Sequence, residues 1–140
     1  MSYLLDTMVL SEPARPAPDS RVIDWLRAQS PLDLSISALT LGELAKGIAL
    51  LSRGRRRDTL ERWLQSDLPR QFSGRVLSID DAIAREWGKL SADGQRSGRP
   101  LPVIDGLLLA TAVVHRLTLV TRNERDCAGR GIPIHNPWPS

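Results

Sequence analysis

The chain has 140 residues, a formal net charge of +3 and a single cysteine, a length that suits one domain burying roughly two-thirds of its unfolded surface. One cysteine, Cys127, excludes an internal disulfide and a cysteine metal cluster. No apolar run approaches the roughly 18 residues of a membrane span, and the first ten residues lack the basic start of a secretory signal, so no membrane role and a cytoplasmic setting are expected.

Short apolar runs bounded by turn signals alternate with segments of helical period. YLLD at 3–6 is the first predicted strand, and it ends on a carboxylate and a hydroxyl, Asp6 and Thr7. A charge at the end of a strand entering a core asks for a partner. EPARPAPD, 12–19, reads as a loop after a first short helix. LSIS at 34–37 is the second strand, and residues 40–51 follow as a helix with Leu41, Leu44, Ile48 and Leu51 on one face and Glu43 in its first turn.

Seventeen of the nineteen basic residues are arginine, and the densest group is RGRRRD at 53–58. It reads as a solvated turn between helices or as a contact for phosphate, which the planar guanidinium fork suits better than lysine does. RVLSI at 75–79 is the third strand. Residues 80–97 form a helix with Ile83, Trp87 and Leu90 together. Residues 105–115 are apolar nearly all round (GLLLATAVV), as in a helix set deep against a sheet. LTLVT at 117–121 and PIH at 133–135 complete the strands. This alternation predicts a mostly parallel α/β sheet with helices on both faces.

In a parallel sheet, strand ends and the starts of the following helices share one edge, and ligands bind there where strand order reverses. Asp6, Glu43 and Asp105 all fall on that edge. Each has a local use: Thr40 and Glu43 have the spacing of a capping box, and Asp6 and Asp105 can cap helices. Together they would repel, at about 4 kcal/mol for two charges roughly 4 Å apart in a surface-like dielectric. No lysine lies in the same turns. Hard oxygen donors without a counter-charge suit Mg²⁺ or Mn²⁺. VTRNERD leaves the fourth strand at the same edge and adds Thr121, Asn123 and Asp126, as site groups or as an ordinary Asn/Asp turn.

Taken in order, LLDT, ALTLGEL, PVIDGLLLATA and LVTRNERD resemble the PIN-domain ribonucleases of the VapC and FitB toxin type, and the loop PARPAPDSRVIDWL and the tail GIPIHNPW are similar to the FitB-like branch. The resemblance covers nearly the whole chain. It implies an α/β/α sandwich with a five-stranded parallel sheet, Mg²⁺- or Mn²⁺-dependent hydrolysis of RNA, and a small antitoxin partner. By position it assigns Asp6, Glu43 and Asp105 to the metal site and places Asn123 where many members carry a fourth acid; Asn123 is neutral, and Asp126 close by is a candidate to take that acid's place. Met8 stands where the family has asparagine, which removes a hydrogen-bonding tie near the metal loop.

The reading that follows is metal-assisted phosphodiester hydrolysis. Thr7 and Thr121 would donate to a phosphate oxygen or a water, and Arg122 and Arg125 would place the RNA backbone. A homodimer is expected because the chain has more apolar helix face than its small core consumes. The antitoxin is expected to insert a basic residue among the acids. Other phosphate chemistries lack their residues: position 8 holds methionine instead of a second aspartate, and no glycine-rich loop follows the first strand. The competing reading is a weakly active or inactive protein of this fold that pairs with a DNA-binding antitoxin in operon repression.

Overall fold

The computed structural model describes residues 1–139. Among these, five strands form one sheet: β1 (Tyr3–Leu5), β2 (Leu34–Ser37), β3 (Val76–Leu77), β4 (Thr118–Val120) and β5 (Ile134–His135), in the order β3-β2-β1-β4-β5. Every pairing is parallel, so the sheet carries no antiparallel edge. The helices are α1 (Thr7–Ser11), α2 (Ser20–Ala28), α3 (Ala38–Ala49), α4 (Arg55–Arg62), α5 (Leu68–Gln71), α6 (Asp81–Arg96), α7 (Val103–His115) and α8 (Glu124–Cys127). A π-helical stretch, Trp63–Asp67, joins α4 to α5. No helix is long and apolar enough to cross a membrane among the described residues.

Strands of two to four residues cannot hold themselves together, and packing on both faces supplies the stability. Side chains alternate across β1 and β4. Leu4 and Leu119 enter one core with Leu108, Leu109 and Ala112 of α7, and Leu5 and Val120 enter the other with Val9, Val22, Leu44 and Phe72. Burying each such side chain contributes about 1.5–3 kcal/mol. Helices therefore cover both faces of the sheet in three layers. On the α7 side, Gly106 sets the fit: a Cβ there would lie 2.9 Å from Cδ1 of Trp87 on α6. No larger residue allows those two helices to approach so closely.

Two helix starts differ from the expectation. The second strand runs straight into α3, because Ser37 ends β2 and its hydroxyl accepts from the Leu39 amide at 3.1 Å. The helix thus begins at Ala38, and Glu43 lies in its second turn, free of any capping box with Thr40. Likewise α7 begins at Val103 behind Pro102, which puts Asp105 inside the first turn and not at the cap. Both carboxylates are thereby released from local use.

Candidate functional site

β1 lies between β2 and β4, so the chain leaves β1 toward one side of the sheet while β4 returns on the other. A crevice opens at such a switch point beyond the strand ends. The register pairs Leu5 with Val120, and the next residues of the two strands are Asp6 and Thr121. The Thr121 hydroxyl donates to Asp6 Oδ2 at 2.7 Å, and the Thr7 amide donates to Oδ1 at 2.7 Å. Asp6 is 9% exposed and Thr121 is fully buried. Residues 115 positions apart in sequence thus fix the central carboxylate.

Glu43 is tied to the same strand end. Thr7 Oγ1 donates to Glu43 Oε1 at 2.6 Å, across α1 and α3. On the other side, Asn123 Nδ2 donates to Asp105 Oδ2 and to Asp126 Oδ2, each at 3.0 Å. Its Oδ1 accepts from the Asp126 amide at 3.3 Å, which caps α8. A carboxylate at position 123 would face two others, whereas the amide meets both with N–H donors. The neutral residue is therefore a physical fit for its neighbours here.

The proximity of the acids shows in their electrostatics. The Asp105 carboxyl titrates above its ordinary 3.8, first because burial penalises its charge and then because Asp6, Asp126 and Glu43 repel it; the bond from Asn123 opposes the rise. Burial, followed by Asp105, Asp6 and Asp126, pushes the Cys127 thiol up to about 12, and Arg130 acts the other way. Cys127 is therefore a neutral, buried thiol and no nucleophile.

The structure thus brings together Asp6, Thr7, Glu43, Asp105, Thr121, Asn123 and Asp126. Thr7 and Thr121 differ from the expectation, since both hydroxyls donate to carboxylates and not outward. Arg122 and Arg125 are exposed on the rim. Arg122 lies over the Trp138 ring at 5.4 Å, a cation–π contact that steadies it beside Thr121. Met8 is 45% exposed and makes no tie to the acids among the described residues.

Among the described residues, no three His, Cys, Asp or Glu side chains are already gathered to hold a metal ion; each acid instead accepts a hydrogen bond from Thr7, Thr121 or Asn123. The donor set still fits a hard divalent cation in kind. It offers only oxygen atoms and surplus negative charge, and among the described residues none of its four carboxylates forms an ion pair.

Two supporting arginines escape sequence reasoning. α8 has four residues, too few to hold itself by its own hydrogen bonds. Arg99 donates to the carbonyls of Ala128 and Arg125, each at 2.6 Å, and Arg130 donates to that of Asp126 at 2.6 Å and to that of Arg99 at 3.3 Å. These donors satisfy helix-end carbonyls that otherwise lack partners, and the cations suit the C-terminal pole. Gly94 on α6 makes room for them, since a Cβ there would lie 2.8 Å from the Arg99 carbonyl oxygen and 3.2 Å from Arg130 Nη1. No local motif in SGRP or AGRG signals this clasp.

The comparisons agree with this geometry. The PIN domain family matches residues 3–128. Toxin FitB of Neisseria gonorrhoeae is 36% identical over 96% of this chain and 97% of its own. VapC ribonuclease Y4jK of Sinorhizobium fredii is 36% identical over 96% of each. Among solved structures, FitAcB from Neisseria gonorrhoeae superposes with a TM-score of 0.94 at 35% identity, covering 99% of both chains. A toxin-antitoxin complex from Klebsiella pneumoniae superposes at 0.70 with 26% identity, covering 99% of this chain and 100% of that one. With its sheet order, its acid-lined switch point and these relatives in agreement, the chain belongs to the PIN-domain family, in the company of the FitB and VapC toxins.

Proposed function

We propose that this protein is a metal-dependent ribonuclease, the toxin of a type II toxin–antitoxin pair, acting in the cytoplasm on RNA phosphodiester bonds. One observation carries the reading: four carboxylates from separate stretches of chain meet in one network of hydrogen bonds through Thr7, Thr121 and Asn123, three of them raise the pKa of the fourth, and none forms an ion pair among the described residues. The names of the relatives, a toxin and a VapC ribonuclease, support the same reading.

Asp6, Glu43 and Asp105 would hold Mg²⁺ or Mn²⁺. When bound, such an ion supplies positive charge beside the phosphate and acidifies water. The chain's own residues do the rest. Thr121 holds Asp6 in place and Thr7 holds Glu43, so that two carboxylates keep their orientation when the charge between them changes. Asn123 orients Asp105 and Asp126 together. Arg122, steadied by Trp138, and Arg125 offer forks to the RNA backbone from the rim.

A small antitoxin would silence the site by inserting a basic side chain among the acids, in the position the cation takes. The solved toxin-antitoxin complex of similar fold supports such a partner. A homodimer is supported by apolar residues left on the surface: Leu50 is 77% and Ile104 36% exposed beside Glu43, and Val103 is 58% exposed. Light scattering of the isolated protein at micromolar concentration should give twice the chain mass.

The deciding experiment is cleavage of single-stranded RNA by the purified protein with Mg²⁺, with Mn²⁺ and with EDTA. Cleavage lost in EDTA and restored by either ion is expected. No cleavage under any of these conditions, from a folded protein that still binds an antitoxin, would replace the nuclease reading with one of partnership in repression.

A further inference from the structure

The arginine group at 53–58 divides on inspection. Arg57 serves the fold: its Nε donates to Glu61 at 2.8 Å and its Nη1 to the Leu51 carbonyl at 3.2 Å. Arg53, Arg55 and Arg56 are exposed, and among the described residues no carboxylate pairs with them. Arg55 and Arg56 also stand in the first turn of α4, where the positive pole of the helix disfavours cations. Gly54 before them contributes no side-chain cap. Asp58 stands in the same turn but forms no ion pair with them among the described residues.

Arg56 has a second setting. With Arg15, Leu60 and Trp63 it lines a cavity of about 290 Å³ whose other wall includes Thr7 and Glu43. Of the acids, Glu43 lines this hollow, and its hydrogen bond from Thr7 at 2.6 Å links the hollow to the end of β1, where Asp6 lies. A single-stranded polynucleotide with one phosphate at the acids carries its next phosphates several ångströms along the chain, and each wants a cation. Trp63, half-buried against the core, lines the same hollow, and any part of its ring left open there is a surface on which a base can stack.

We infer that the start of α4, with Arg56 at its centre and Arg53, Arg55 and Arg15 beside it, is the track for the single-stranded RNA backbone flanking the bond at the acids. The inference rests on the ribonuclease reading for the identity of the substrate, but its test does not require cleavage. Charge complementarity chooses the occupant: an acidic chain on exposed guanidinium groups, of which Arg53, Arg55 and Arg56 form no ion pair among the described residues and Arg15 shares its charge with Glu12 at 3.3 Å, next to acids that would repel it without this help.

The test measures binding of a fluorescently labelled single-stranded RNA dodecamer to the full chain in EDTA, by anisotropy, from 50 to 300 mM salt. Arg56→Ala and the double variant Arg55→Ala/Arg56→Ala are compared with Arg56→Lys and with Arg85→Ala, an exposed arginine on α6. Each lost phosphate contact should flatten the plot of log affinity against log salt by about 0.7. The single variant should lower affinity several-fold, and the double variant should lower it further. Arg56→Lys should keep most of the slope, and Arg85→Ala should leave it unchanged. With Mg²⁺ present, Arg56→Ala should raise KM for cleavage more than it lowers kcat. An unchanged slope in the double variant overturns the track, as does an equal loss for duplex DNA or for an acidic peptide. RNA binding that depends on Arg56 in a protein that cleaves nothing keeps the track and removes the nuclease reading; cleavage indifferent to Arg56 does the reverse.

Discussion

The hydroxyl of Thr121 offers the sharpest test of how the acid crevice is held. Thr121 is fully buried; it donates to Asp6 Oδ2 at 2.7 Å and accepts from the Asn123 amide at 3.1 Å. Thr121→Val keeps the shape and removes both bonds. A hydrogen bond to an ionised group contributes about 1.5–3 kcal/mol and a neutral one about 0.5–1.5 kcal/mol. The extra buried methyl returns about 0.8 kcal/mol. The net loss should be roughly 2–3 kcal/mol, which for a chain of this size lowers Tm by roughly 6–12 °C. Thermal and urea melts in EDTA would measure it, in a double-mutant cycle with Asp6→Asn. In the Asp6→Asn background the valine substitution should cost markedly less, because the acceptor is no longer charged. An equal cost in both backgrounds would show that Thr121 acts by packing alone, and the account of a clamped Asp6 would be wrong.

Asp6→Asn and Asp105→Asn should each abolish metal-dependent cleavage while leaving the circular dichroism spectrum unchanged; ordinary activity in either would remove that residue from the site. Because the folded pKa of Asp105 lies above 3.8, its ionised form opposes folding once the pH exceeds that raised pKa, and the opposition is gone below 3.8. Asp105→Asn should therefore melt higher than the parent protein in EDTA at pH 7, with the gap closing as the pH falls toward 3.8. Mn²⁺ affinity measured by calorimetry should fall as the pH drops through the same raised pKa; a flat profile would exclude Asp105 as a ligand. Gly94→Ala adds a helix-favouring residue yet should destabilise by about 1–3 kcal/mol, since its Cβ meets the Arg99 backbone at 2.8 Å, and it should weaken Mn²⁺ binding through the loop that carries Asn123 and Asp126. The co-encoded antitoxin should bind less tightly as Mg²⁺ rises and when two of Asp6, Glu43 and Asp105 are neutralised together; affinity indifferent to both would place inhibition elsewhere on the surface.

Much of this was legible in the chain itself, for a definable reason. Strand and helix alternate with different hydrophobic periods, and a run such as GLLLATAVV calls for burial over most of its surface; Gly106 and Leu108 to Ala112 are buried, while Val113 stays 37% exposed. Pattern alone therefore dictated a parallel sheet covered on both faces, and with it the edge on which Asp6, Glu43 and Asp105 fall. The tertiary structure decided what each side chain touches. Local spacing offered Glu43 a capping box with Thr40, but Ser37 takes the cap because β2 ends there, and Glu43 turns to Thr7 instead. Asn123 looked like a departure from an acid, and only the approach of Asp105 and Asp126 reveals it as the donor between them. Arg99, Arg130 and Gly94 carry no motif, because their partners are backbone carbonyls and a close approach that any sequence can offer. Arg56 and Arg57 are neighbours of one type in the chain, and folding sends Arg57 to Glu61 and Arg56 to a hollow that Glu43 also lines. Periodicity reports which face of an element is buried; it carries no record of which distant atom will be waiting there.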